Sequence, residues 1–104
     1  MGGTMRINVR PDAFRDLDAA AQFGDMQEPG LGSEIYAFLE AEIDRLMRTA
    51  GLHPRRGRFH RHVVRGRFPY FSVYYTLSGD VVEVHAVLDG RRDPQDNQRT
   101  LRTR

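Results

Sequence analysis

Cysteine, lysine and tryptophan are all absent from the 104-residue chain. Without cysteine there can be no disulfide, no thiolate nucleophile and no cysteine-ligated zinc, which suits a reducing interior and makes the cytoplasm the expected location. No apolar run approaches the ~20 residues that span a bilayer, and no charged stretch followed by an apolar block opens the chain, so neither export nor a membrane partner is expected. With no lysine, all 16 cationic side chains are arginines, whose planar forks suit phosphate and carboxylate. Hydrophobic residues at 39% against 29% charged are enough to offset chain entropy, and the length suits one core. We therefore expect a single domain over residues 5–96, with flexible ends at 1–4 and 97–104.

The charge is unevenly spread. Through Gly51 five arginines face nine acids, a net of −4; beyond it eleven arginines face five acids, a net of +6. An acidic surface and a basic one follow, the latter able to meet a nucleic acid or an acidic protein segment. The densest part runs from Arg55 to Arg67, six arginines with no acid among them and with Phe59, Phe68 and Tyr70 in or beside the run.

Met5, Ile7 and Val9 alternate with polar residues, the period of a half-buried strand that Pro11 ends. Phe14, Leu17 and Ala21, with Ala13 and Ala20 less cleanly, predict a helix over 12–26. Glu28-Pro29-Gly30-Leu31-Gly32 interrupts it, and Ser33 is the expected N-cap of a second helix whose stripe is Ile35, Phe38, Leu39, Ile43, Leu46, Met47 and Ala50, stopped by Gly51. A linker this short predicts an antiparallel helix hairpin. Strand formers then dominate at about Phe59 to Arg65, Phe68 to Leu77 and Val81 to Leu88, with Ser78-Gly79-Asp80 as a tight turn. Phe71, Val73, Tyr75 and Leu77 predict one buried face of the middle strand, and Val82, Val84, Ala86 and Leu88 one buried face of the next. The strand near 59–65 is open in parity: either Arg61 and Arg65 or His60 and His62 face solvent. The polar tail from Gln95 to Arg104 has Leu101 as its one large apolar residue and is expected to fray. The fold class expected is α+β: a strand, an antiparallel helix hairpin and a three-stranded antiparallel meander.

Asp16-Leu17, Pro29-Gly30-Leu31-Gly32, Phe68-Pro69-Tyr70, Tyr75 and Gly90-Arg91-Arg92-Asp93-Pro94, in this order, resemble the RelE/ParE superfamily of toxins from type II toxin–antitoxin systems, over about Met5 to Asp96. The chain departs from many relatives after Arg-Asp-Pro, where Gln95, Asp96, Asn97 and Gln98 stand in place of an aromatic. The resemblance implies a growth-arresting toxin, of the kind tied to plasmid stabilisation, held in a hetero-oligomer by a cognate antitoxin. It also implies one of two targets. A ParE-like member inhibits DNA gyrase and cuts nothing itself, whereas a RelE-like member cleaves mRNA on the ribosome without metal.

The residues are weighed between these. RNA cleavage requires a base for the ribose 2′-hydroxyl, cations for the phosphate and an acid for the leaving oxygen. RelE-like enzymes supply a tyrosine near the C-terminus, and this chain has none after Tyr75. Histidine can substitute, since its unperturbed pKa of ~6.5 lets it exchange a proton near neutrality. The catalytic set of the RelE-like alternative is accordingly Arg61, Arg65, Arg92, His60, His62 and His85, while the favoured ParE-like reading has no catalytic residue. In either case Arg58, Arg61, Arg65, Arg67, Tyr70, Arg91 and Arg92 are the expected contacts to target or antitoxin. His60 and His62 lack a carboxylate at useful spacing, and no cofactor or metal is expected.

Overall fold

The computed structural model describes residues 5–104; the expected flexible leader 1–4 lies outside them. Strand β1 (Arg6–Val9) leads directly into α1 (Pro11–Gln27), with proline in the first turn, where its missing N–H is not needed. Helix α2 (Leu31–Asp44) and the short α3 (Leu46–Thr49) follow. Next come β2 (Arg55–Arg56), β3 (Phe59–Val63), β4 (Phe71–Ser78), β5 (Val81–Asp89) and a closing helix α4 (Pro94–Arg102). The expected α+β architecture is the one observed. All the strands join one sheet in the order β1-β5-β4-β3-β2, antiparallel except for the parallel pair β1 and β5. No helix among the described residues is long and apolar enough to cross a membrane.

The helix hairpin is joined more tightly than its sequence suggests. Ser33 is not the N-cap of α2: Gly30, at φ 92°, holds that position, and the Ser33 hydroxyl lies inside the helix and donates to the Gly30 carbonyl. The free N–H groups of the new helix are met from α1 instead, where Asp25 Oδ1 accepts from Gly32 N at 2.8 Å and from Gly30 N at 3.2 Å. Gly32 allows this approach, because a Cβ there would fall on the Ala21 carbonyl oxygen. The apolar face of α1 is also rotated from expectation. Ala13 is fully buried while Phe14 is 46% exposed, so of these two neighbours the smaller enters the core and the larger ring points outward.

The two faces of the sheet carry separate cores. Ala13, Leu17, Ile35, Leu39, Ile43 and Leu46 pack from the helices onto Val73 and Tyr75 of β4 and Val82, Val84 and Val87 of β5. Phe59, Tyr74, Ala86 and Leu88 form the second cluster on the other face, closed by Leu101 of α4. The predicted uniform face of Val82, Val84, Ala86 and Leu88 is therefore wrong. Pairing passes from Tyr74↔Ala86 to Tyr75↔Val84, so β5 carries one extra residue, His85, and everything after this bulge changes face. Leu77, placed on the buried face of β4, is 38% exposed near the turn.

The tail is a second correction. Pro94–Arg102 is helical, Asp93 caps it by accepting from Gln95 N at 2.8 Å, and Leu101 anchors it on the sheet. Beyond it Arg104 is bonded to Asp16 of α1. A local reading sees one leucine among polar residues, whereas the order comes from contacts distant in sequence.

Candidate functional site

The parity left open for β3 resolves through its register. His60 lies opposite Tyr75 and His62 opposite Val73, which puts both histidines on the helix side of the sheet, while Phe59 and Arg61 face the other way. A polar network fills the place where this edge of the sheet meets α2 and the loop after α3. The fully buried Tyr75 hydroxyl accepts from Gly51 N at 2.9 Å and lies 2.7 Å from His53 Nδ1. Since the hydroxyl still has a hydrogen to give, the consistent assignment makes His53 Nδ1 the acceptor, with its hydrogen on Nε2. His60 Nδ1 donates to the His53 carbonyl at 2.8 Å, and the His60 ring stacks on Tyr75 with centroids 5.0 Å apart. His62 Nε2 donates to Glu42 Oε1 at 3.0 Å, and Arg45 holds the other oxygen of that buried carboxylate at 3.2 Å.

Burial disfavours protonation of His53. Its pKa lies below the ordinary 6.5, first because burial disfavours the cation and then because protonated His62 and His60 would repel it. Burial raises Tyr75 above its ordinary value of 10.0, outweighing the hydrogen bonds around the hydroxyl. The rings of His53 and His62 are 4.4 Å apart, at the wall of a cleft of about 380 Å3 whose other lining residues are Pro54, Arg56, Arg61, Val63 and Arg65. Glu42 does accompany His62, contrary to the expectation that no carboxylate would. Even so, no group of three or more histidine, aspartate or glutamate side chains suited to a metal ion occurs among the described residues.

His85 does not join this group. It sits at the bulge on the opposite face, 92% buried, with Nε2 2.8 Å from the Thr76 hydroxyl and its ring beside Phe59 at 5.2 Å. Burial lowers its pKa, and Arg58 and Arg10 lower it further. The three histidines of the RelE-like alternative are thus split between two faces.

The expected arginine contacts also divide. Arg61 and Arg65 line the cleft, and Arg61 Nε donates to the Ser72 hydroxyl at 3.2 Å. Arg58 lies over Phe59, 4.3 Å from the ring centroid. Arg67 pairs with Glu34 and covers Phe68. A second depression of about 390 Å3 runs between α1 and the end of β5, with Ala20, Phe23, Ile35, Phe71 and Val87 among its apolar lining and Tyr70, Arg91 and Arg92 also lining it. Arg91 is spoken for: it lies 3.5 Å over the Tyr70 ring and makes a two-pronged bond to Asp89, which raises its pKa. Arg92 has no carboxylate within 4.0 Å among the described residues.

His53 and Glu42 were missed from sequence. Glu42 carried a signal, because it falls three residues after Leu39 and four before Leu46, on the apolar stripe of α2, where an unpaired acid would be costly. His53 sits in an irregular loop and carried none.

No protein-family model and no curated protein sequence matches the chain. Among solved structures it is similar to a chain of the chromosomal ParDE TA system from P. aeruginosa, with a TM-score of 0.73 at 14% identity over 83% of this chain and 96% of that one. A copper-bound mutant toxin from Helicobacter pylori also aligns, at 17% identity over 82% of this chain and 93% of that one, with a TM-score of 0.45. The first of these shows a shared fold, the RelE/ParE-like one that the sequence motifs imply.

Proposed function

We propose that this chain is the toxin of a type II toxin–antitoxin module, kept inactive by a cognate antitoxin and acting when free by inhibiting DNA gyrase. The fold shared with a ParDE chain supports the toxin assignment. The depression between α1 and β5 supports the antitoxin. Its floor is apolar, Phe23 beside it is 52% exposed, Met26 on the same helix is 84% exposed, and unpaired Arg92 also lines it, which together fit an acidic amphipathic segment.

The observation that carries the choice of gyrase over mRNA is the dispersal of the histidines. A general acid and base must reach one phosphate from opposite sides, whereas His60 bonds a backbone carbonyl, His62 bonds a buried carboxylate and His85 lies on the other face of the sheet. His53 beside His62, on a wall shared with three arginines, is the one feature that favours the ribosome-dependent endoribonuclease.

Toxin freed from its co-expressed partner decides between them. Gyrase supercoiling should be inhibited in vitro, and translated messages in intoxicated cells should keep their ends. Codon-positioned cuts with unaffected supercoiling would overturn the gyrase reading. Expression without a partner should be poorly tolerated or give poorly soluble protein, because a partner that binds the folded state adds stability by mass action. Unimpaired growth and a monodisperse monomer would argue against the module itself.

A further inference from the structure

The depression between α1 and β5 carries a single unmatched charge. Four charged side chains line it, Asp16, Asp89, Arg91 and Arg92. Asp16 is held by Arg104 and by Val87 N, and Asp89 is held by the two-pronged bond from Arg91. Arg92 has no carboxylate within 4.0 Å among the described residues, which leaves one uncompensated guanidinium at the depression. The wall that α1 contributes is low. Ala19 and Ala20 are short, and Gly24 lets Ile35 approach so closely that a Cβ there would stand 2.6 Å from Ile35 Cδ1. Phe23, Ile35, Phe71 and Val87 supply apolar surface around this hollow. The main chain beside it is already paired, Val87 N with Asp16 and Gly90 N with the Tyr70 carbonyl at 2.7 Å. An extended peptide therefore finds no free donor at these two positions, whereas a compact apolar body needs only the hollow.

We propose that this depression binds a small amphipathic acid, an apolar chain or ring that carries one carboxylate. Its apolar part lies against Phe23, Ile35 and Val87, and its carboxylate meets the fork of Arg92. The volume of about 390 Å3 falls at the small end of the range for small-molecule sites. A single negative charge is what the unpaired Arg92 calls for, because a phosphate dianion would be repelled by Asp16 and Asp89 and a cation by Arg92. The apolar part supplies the affinity, each methylene removed from water tightening binding by about fourfold. Binding is all that is proposed, with no bond broken. The antitoxin segment is placed on the same depression, so the acid should compete with it, and that one consequence rests on the toxin reading.

The test uses the purified full chain, isotope-labelled at its methyl groups, with octanoate, decanoate, decanol, decyltrimethylammonium and an acidic amphipathic decapeptide as probes. Decanoate should shift the Ile35 and Val87 methyl signals in NMR spectra saturably, and octanoate, two methylenes shorter, should bind about fifteenfold more weakly. Decanol, equal in chain but uncharged, should bind about tenfold more weakly than decanoate, and the cation more weakly still. Arg92 is exposed and has no carboxylate partner, so Arg92→Gln keeps the fold. It should erase the preference for decanoate over decanol and leave decanol within about twofold of the parent. Ala19 is exposed on α1 and lines the depression, so Ala19→Leu should fill the hollow and weaken decanoate and decanol alike by about tenfold. Arg48→Gln, on α3 and outside the depression, should leave binding as it is. Equal affinity for decanoate, decanol and the cation would overturn the proposal, as would binding that Ala19→Leu leaves intact. A decapeptide that moves the Ile35 and Val87 signals when neither acid does would assign the depression to protein partners alone and also overturn it. Size-exclusion chromatography of the toxin–antitoxin complex with added decanoate then tests competition. Direct binding without release of the antitoxin would uphold the ligand site and move the antitoxin to another surface, so the two readings succeed or fail separately.

Discussion

Arg104 closes a two-pronged ion pair on Asp16, 88 positions earlier, with Nη1 2.7 Å from Oδ2 and Nη2 2.9 Å from Oδ1. Nη1 also donates to the His85 carbonyl at 2.9 Å, while Asp16 Oδ2 accepts from Val87 N, so one pair of side chains ties α1, the bulge of β5 and the segment after α4 together. Both side chains are largely buried, at 13% and 14% exposure, and the bond to Asp16 raises the Arg104 pKa.

Arg104→Ala should accordingly destabilise the protein by about 2 kcal/mol, less than the loss of a fully buried pair because Val87 N still satisfies part of the carboxylate. Chemical denaturation provides the number, and hydrogen exchange in α4 provides the mechanism. Protection in α4 should fall more than in β4. An unchanged midpoint would mean that Leu101 alone holds the helix.

Tyr75 separates packing from hydrogen bonding. The ring is fully buried between the sheet and helices, and removing it in Tyr75→Ala should cost about 3 kcal/mol or more. Tyr75→Phe keeps the volume and removes only the hydroxyl, leaving Gly51 N and His53 Nδ1 without their partner, at a cost of about 1–2 kcal/mol. Thermal unfolding of the pair should rank parent, Phe, Ala. A Phe variant as stable as the parent would mean that water replaces the hydroxyl.

Stability should fall on mild acidification. His53 and His85 both have folded pKa values below the 6.5 of the free side chain, chiefly through burial. The unfolded chain therefore takes up protons first as pH drops. Their contribution is fully present above 6.5 and is lost as pH falls from there through the lower folded values. Melting temperatures between pH 8 and 5.5 should decline, and His53→Gln with His85→Gln should flatten the decline. A transition that rises in acid would contradict the sign.

Much of this was legible in local pattern. The stripe of α2 at helical spacing, the alternation of Phe71, Val73 and Tyr75, and the turn at Ser78-Gly79-Asp80 each involve neighbours in sequence, where geometry fixes the period. What was lost depends on distant contacts or on small choices. The bulge at His85 adds one residue within β5, with no glycine or proline to announce it. Ala13 and Phe14 are both apolar, and only the close fit of α1 to the sheet puts the smaller one inside. The order of α4 rests on Leu101 and on Arg104 reaching α1. The same holds for the site, since Glu42 meets His62 twenty residues on and His53 meets Tyr75 after twenty-two.

The division of histidines and arginines gives a final test of mechanism. If the protein inhibits gyrase, no side chain needs to move a proton, and replacing His60, His62 and His85 together with glutamine should leave toxicity nearly intact in cells where antitoxin pull-down shows an equal amount of folded protein. Arg91→Ala with Arg92→Ala should instead weaken toxicity or loosen the antitoxin. That change removes the unpaired cation, frees Asp89 and uncovers Tyr70, all beside the apolar depression. A ribonuclease responds in the opposite pattern, since loss of a proton-transfer group costs a factor of about 10² to 10⁴ in rate. Collapse of toxicity in the histidine variant at equal folded level, accompanied by the disappearance of codon-positioned transcript ends, would reject gyrase as the target. Persistent toxicity with intact messages and an induced DNA-damage response is the expected result.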